Sequence, residues 1–163
     1  MIEKRTGVFK QYDNKKKINI YYEYFNFNGK KEGVCKIYHM NGELWEIYNF
    51  KDNKREGEYK QYYEDKQVCI INNYKNNKKN GKLIKYYENG QLWKICNYIN
   101  DNFEGEFKEY YINGHLEQIW NYENNGLERE YKKYNKNGQL IEIGKYINGV
   151  MTYLKEGYIK NIA

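Results

Sequence analysis

The feature that most constrains this chain is a repeat of 24 residues. Gly33, Gly57, Gly81 and Gly105 stand 24 apart, and Arg129 takes the same slot in the next unit. Five places on come Tyr38, Tyr62, Tyr86, Tyr110 and Tyr134. A second glycine column holds Gly42, Gly90, Gly114 and Gly138, broken by Lys66. Leu44, Val68, Leu92, Leu116 and Leu140 follow, then Ile47, Ile71, Ile95, Ile119 and Ile143. Asn49, Asn73, Asn97 and Asn121 precede a last column of Phe50, Tyr74, Tyr98, Tyr122 and Tyr146. A period of this size marks an array in which each unit covers its apolar surface only by stacking on its neighbours. The units run 33–56, 57–80, 81–104, 105–128 and 129–152, with a longer degenerate unit at about 7–32 and a closing segment at 153–163. Together they predict a single repeat domain over 1–163.

Each unit converts to structure in the same way. Asn41-Gly42, Asn89-Gly90, Asn113-Gly114 and Asn137-Gly138 are pairs that favour a type I′ hairpin turn. A second turn signal recurs at Asn28-Gly29, Asp52-Asn53, Asn76-Asn77, Asn100-Asp101, Asn124-Asn125 and Asn148-Gly149. Two turns per unit leave two strands of roughly seven to nine residues. The composition agrees: there is no proline, and there are 21 Tyr and 24 Asn, so strand formers alternate with turn formers. The fold class predicted is all-β, a meander of about a dozen antiparallel strands. One detail resists a flat strand. Leu92, Trp93 and Ile95 cannot all face one side, so either both faces carry rings or a β-bulge re-aims a side chain.

Chemistry is hard to place on this chain. His39 and His115 fall in different columns of distant units and do not suggest a catalytic pair. Cys35, Cys69 and Cys96 form no close pair of the kind a zinc site uses, and read as small apolar strand residues. Their odd number at irregular spacing suits a reducing compartment, and the expected location is the cytoplasm. The glycines recur by turn register and precede no helix, so no phosphate loop is expected. No enzymatic activity, cofactor or metal is therefore predicted.

Charge is unevenly spread. Residues 1–90 carry 19 Lys+Arg against 12 Asp+Glu, or +7, while residues 91–163 carry 9 against 10, or −1. The basic half includes Lys15, Lys16 and Lys17, and a set of candidate anion-facing residues: Lys30, Lys31, Lys54, Arg55, Lys78 and Lys79. A solvated, lysine-rich sheet surface would have the same composition.

Aromatic residues supply the other candidate surface. Tyr63, Tyr87 and Tyr111 follow Tyr62, Tyr86 and Tyr110, so each adjacent pair points to opposite faces of its strand. Trp45, Trp93 and Trp120 add large rings. Tyr63, Tyr87, Tyr111, Trp45, Trp93 and Trp120 are the candidate partner-binding residues, because exposed rings are favoured interface material. Rings that only stack across strands would leave the same pattern.

At these columns the chain resembles the MORN-repeat variant of bacterial YwqK-type proteins, and GKLIKYYENGQLWKICNYINDN, from Gly81 to Asn102, carries the likeness most fully. It covers about 7–150. The resemblance implies β-hairpins stacked into an elongated, twisted antiparallel sheet, and supplies no catalytic motif. It also implies an antitoxin-like role, or more broadly a protein-interaction or lipid-associating module. The expected function is a non-catalytic binding scaffold of antitoxin or immunity type for a protein partner, such as a toxin. The alternative is peripheral association with anionic membrane lipids through the basic N-terminal half. Nucleic-acid binding is disfavoured by 22 interleaved acidic residues. Lys155 and Lys160 discourage growth at the C-terminal edge, so a monomer or weak end-to-end dimer is expected.

Overall fold

The computed structural model describes the backbone at 5–13, 18–27, 29–123, 126–127, 130–147 and 150–153, and side chains at 29–122 and 131–145. Lys15, Lys16, Lys17, Asn28, Arg129, the turn residues at 124–125 and 148–149, and the closing residues 154–163 with Lys155 and Lys160 lie outside the described residues. The chain divides into two compact units, Met1–Gly81 and Lys82–Ala163, and the division falls one residue beyond a repeat boundary, at the first residue of the strand Gly81–Tyr86.

The first unit is built from β1 (Arg5–Asp13), β2 (Ile18–Phe27), β3 (Lys30–His39), β4 (Leu44–Lys51), β5 (Lys54–Tyr62), β6 (Val68–Lys75) and the short β7 (Lys78–Lys79). Its strands lie in sequence order from β1 to β6, each antiparallel to the next, with β7 folded back on β6. The second contains β8 (Gly81–Tyr86), β9 (Leu92–Ile99), β10 (Asn102–Phe103), β11 (Gly105–Tyr110), β12 (Leu116–Glu123), β13 (Gly126–Leu127), β14 (Glu130–Tyr134), β15 (Leu140–Ile147) and β16 (Val150–Tyr153). It too is a meander, β8-β9-β11-β12-β14-β15-β16, with β10 on β9 and β13 on β12. The all-β, antiparallel hairpin architecture is the one the repeat predicts.

The type I′ geometry expected at the Asn-Gly turns is found in the other turn column instead. At the Asn-Gly turns only the glycine has positive φ, +79° at Gly90 and +80° at Gly138. The Gly90 N–H donates to the Tyr87 carbonyl and the Tyr87 N–H to the Gln91 carbonyl, both at 2.9 Å. This is a type I turn closed by a left-handed residue, not type I′, which needs positive φ at both central positions. The Asn before the glycine has another task. The Asn89 Oδ1 accepts the Gln91 N–H at 3.1 Å, and Asn41, Asp65 and Asn113 do the same two residues on. Lys66 holds the glycine slot at φ +73° with the same hydrogen bonds. The true type I′ turns are Asp52-Asn53, Asn76-Asn77 and Asn100-Asp101, where both residues lie between +49° and +71°.

A β-bulge resolves the crowding of apolar columns. Register shifts fall between Ile37 and Tyr38, Gln61 and Tyr62, Glu109 and Tyr110, and Lys133 and Tyr134. Tyr110 thus pairs with Leu116 while Glu109 pairs with Gln118, which leaves Glu117 as the extra residue. Leu116 and Ile119, three apart, therefore share a face, and with Tyr134 and Lys132 they line a shallow cavity of about 370 Å³. The row Ile95, Lys108, Ile119, Lys132, Ile143 runs across that face, so lysine stems lie between isoleucines.

The opposite face carries the buried rows. In the first unit Cys35, Tyr48, Tyr59 and Asn72 are successive cross-strand partners, and all are buried. Trp45, Phe50, Ile70 and Tyr74 pack around that cluster. In the second, Leu83, Cys96 and Phe107 form the buried cluster, flanked by Tyr98, Phe103, Trp120 and Tyr122. The cysteines are free and buried, as small strand residues should be.

Candidate interaction surfaces

The tyrosine ladder stitches one repeat to the next. The Tyr87 hydroxyl donates to the Tyr110 carbonyl at 2.7 Å, and the Tyr111 hydroxyl to the Tyr134 carbonyl at 2.8 Å. Burial first, then the charges of Glu117 and Glu109, pushes the Tyr87 phenol up, and burial with Glu117 does so at Tyr111. Tyr63, in the same column, is half-buried. One edge of the Tyr87 and Tyr111 rings is therefore committed to structure.

The three tryptophans separate sharply. Trp45 packs on the first buried cluster and meets His39 at 5.7 Å between ring centroids. Trp120 stacks on Tyr131 at 4.9 Å and belongs to the second cluster. Trp93 is 36% exposed, and among the described residues it is the only Trp, Tyr or Phe in the exposed class. It stands in the same repeat column as Trp45, which is the extra residue at the bulge between Ile37 and Tyr38. Its indole lies 5.7 Å from Tyr87, with the Lys85 and Lys94 ammoniums 5.1 and 5.5 Å from the ring centre. Lys94 also pairs with Glu109, and Glu109 accepts from Gln118. The surface around Trp93 thus combines an aromatic plate with charges of both signs.

The predicted anion-facing residues do not form one patch, because strand alternation splits them between faces. Arg55 lies over Tyr48 at 4.5 Å and Tyr74 at 5.5 Å, and Lys31 over Phe50 at 5.2 Å. These cations cap rings. Lys79 shares their column and is half-buried. In the second unit Phe103 fills the equivalent place, stacked on Tyr98 at 4.6 Å and Tyr122 at 4.9 Å. The slot accepts a cation or a ring because a glycine opposite each aromatic, Gly57 to Tyr74 and Gly105 to Tyr122, leaves room above it. Lys30 pairs with Asp52 at 2.7 Å, which holds the Asp52 carboxyl below its usual range. Lys54 and Lys78 are exposed. Their cross-strand partners, Lys51 and Lys75, escape a reading of column conservation, although their position three residues earlier across a two-residue turn marks them.

His39 is half-buried in β3, and His115 is exposed beside a turn with its Nδ1 2.7 Å from the Lys136 carbonyl oxygen. Among the described residues no group of three His, Cys, Asp or Glu is placed to hold a metal ion.

A family model described as MORN repeat variant matches residues 31–52, 55–76, 79–100, 103–124 and 127–148. The same 24-residue spacing recurs, offset by two residues from the glycine register. No curated protein matches the chain. Among solved structures, a mutant of S. aureus TarM in complex with Fondaparinux, alpha-GlcNAc-glycerol and UDP is 10% identical, with a TM-score of 0.38 over 60% of this chain and 19% of its own. The GtfA/B complex bound to UDP and GlcNAc is 11% identical, with a TM-score of 0.30 over 70% of this chain and 22% of its own. The chain thus spans about a fifth of the length of each of these two structures.

Proposed function

Because the chain belongs to the MORN repeat variant family, a non-catalytic repeat family, we propose that it is a protein-binding scaffold of antitoxin or immunity type acting in the cytoplasm. The observation that carries this reading is Trp93, a large ring left exposed beside Tyr87 and flanked by cations. Exposed Trp and Tyr beside charged groups are the usual anchors of protein interfaces. The partner would sit on the sheet face that bears Trp93, with the tyrosine ladder as a rigid base.

Capture from the native host with the full chain as bait tests this, with Trp93→Ala run beside it. A partner held by the wild-type chain and lost with Trp93→Ala supports the scaffold reading. Equal capture by both removes Trp93 as the anchor. The antitoxin role requires more: the captured protein should halt growth when expressed alone, and co-expression of this chain should restore it. A harmless partner would overturn that role.

Peripheral binding to anionic lipid is the second reading. The exposed Lys54 and Lys78 favour it, whereas Lys31 and Arg55 are engaged over rings. Sedimentation with anionic liposomes at low and high salt checks it, and binding that survives high salt would argue against an electrostatic origin.

A further inference from the structure

Two hairpins of the first unit end in lysines placed directly opposite each other. Lys51 pairs with Lys54 across the Asp52-Asn53 turn, and Lys75 with Lys78 across Asn76-Asn77. All four side chains are exposed. Like charges directly across a ladder destabilise it. The turn does not require them, since the equivalent pair in the second unit is Ile99 with Asn102. The neighbouring carboxylates are already engaged. Asp52 is bound by Lys30, Glu32 accepts the Asp52 N–H at 2.8 Å, and Glu56 accepts the Asn76 N–H at 2.8 Å. These carboxylates keep their charge, so Lys30, Lys51 and Lys54 against Asp52 and Glu32, and Lys75 and Lys78 against Glu56, leave each hairpin end net positive by about one charge.

We propose that this rim docks an extended acidic segment of a protein partner, with carboxylates three residues apart. The proposal deepens the scaffold reading and rests on it. Successive hairpins stand two strands apart, which is ~10 Å. A chain in the extended polyproline II conformation advances ~3.1 Å per residue with three residues per turn, so every third side chain returns to the same side after ~9 Å, close to that spacing. One carboxylate then falls on each lysine pair. A continuous polyanion fits less well, because the Glu56 carboxylate, bound to the second turn from the adjacent strand, lies between the two pairs.

The experiment measures fluorescence anisotropy of a labelled peptide of repeated Glu-Ser-Ser against the full chain at low salt. A peptide of the same composition with its glutamates clustered serves as control. The repeated peptide should bind more tightly than the clustered one. Lys54→Glu and Lys78→Glu should each weaken it by about tenfold, a change of about 1.4 kcal/mol. Each swap also places a glutamate opposite a lysine, so thermal stability should hold or rise. Should either variant melt earlier, Lys54→Thr and Lys78→Thr remove the charge with a strand former and carry the same expectation. Equal binding of the two peptides, or indifference to the lysine changes, would overturn the proposal. Tighter capture by phosphatidylserine vesicles or by a single-stranded oligonucleotide, dependent on the same lysines, would overturn it too and assign the rim to that partner. Failure here leaves Trp93-dependent capture intact, whereas failure of the scaffold reading removes that capture, so the two are distinguishable.

Discussion

Tyr59 stands directly across the β5–β6 ladder from Asn72, and both are buried, at 9% and 2% exposure. The same two columns pair Cys35 with Tyr48, Phe107 with Trp120 and Tyr131 with Gly144. Where one side is small the other is often a ring. Residues in these columns differ from unit to unit, yet among the described residues they supply most of the buried side chains. The columns that repeat faithfully, Tyr38 to Tyr134 and Ile47 to Ile143, are only half-buried where described. Packing here is settled pair by pair, because a sheet face is filled by cross-strand neighbours acting together.

Asn72 is an exception within that row, since its buried Oδ1 accepts no hydrogen bond. Asn72→Val should raise stability by about 1 kcal/mol, because an unsatisfied buried acceptor costs more than the contacts it makes. Urea denaturation measures the change. A loss of stability would mean that the carboxamide is holding a neighbour in place.

Lys66 occupies a left-handed position that its repeats give to glycine. Lys66→Gly should therefore stabilise the chain by about 1 kcal/mol, while Gly90→Val should destabilise it by at least as much. Thermal melts of both variants provide the comparison, and changes of the same sign would refute the turn assignment.

Tyr87→Phe and Tyr111→Phe keep the rings and delete only the hydroxyls that reach the next repeat. Each should cost about 1 kcal/mol, the ordinary net value of one intramolecular hydrogen bond. Partner capture should persist in both variants. Stability unchanged in both would show that the carbonyls of Tyr110 and Tyr134 are as well satisfied by water.

Alkaline pH should loosen the aromatic face. Burial first, then the charge and hydrogen bond of Cys96, raises the Tyr98 phenol from near 10 to about 12. Tyr48 and Tyr59 are also pushed up, chiefly by burial. A raised phenol favours the neutral, folded form. Its contribution is complete below the unfolded value near pH 10 and is lost as pH rises through about 12. Tyrosinate absorbance should therefore rise in two phases, the later one coinciding with loss of the β-sheet circular dichroism signal. A single phase preceding unfolding would contradict this.

The sequence by itself determined the period, the all-β class and, where the residues are described, the positions of the turns. These are backbone properties: glycine and asparagine punctuate the chain through their own φ preferences, and apolar spacing fixes strand length. Tertiary structure decided what depends on a neighbour. It placed type I′ geometry at Asp52-Asn53 and not at Asn41-Gly42, because a left-handed pair must match the strands on both sides. It stacked Trp120 on Tyr131, left Trp93 exposed, and drew Arg55 over Tyr48 and Tyr74. Two residues of one type in nearby columns look alike along the chain. They acquire different environments only when antiparallel pairing brings a particular partner across from each.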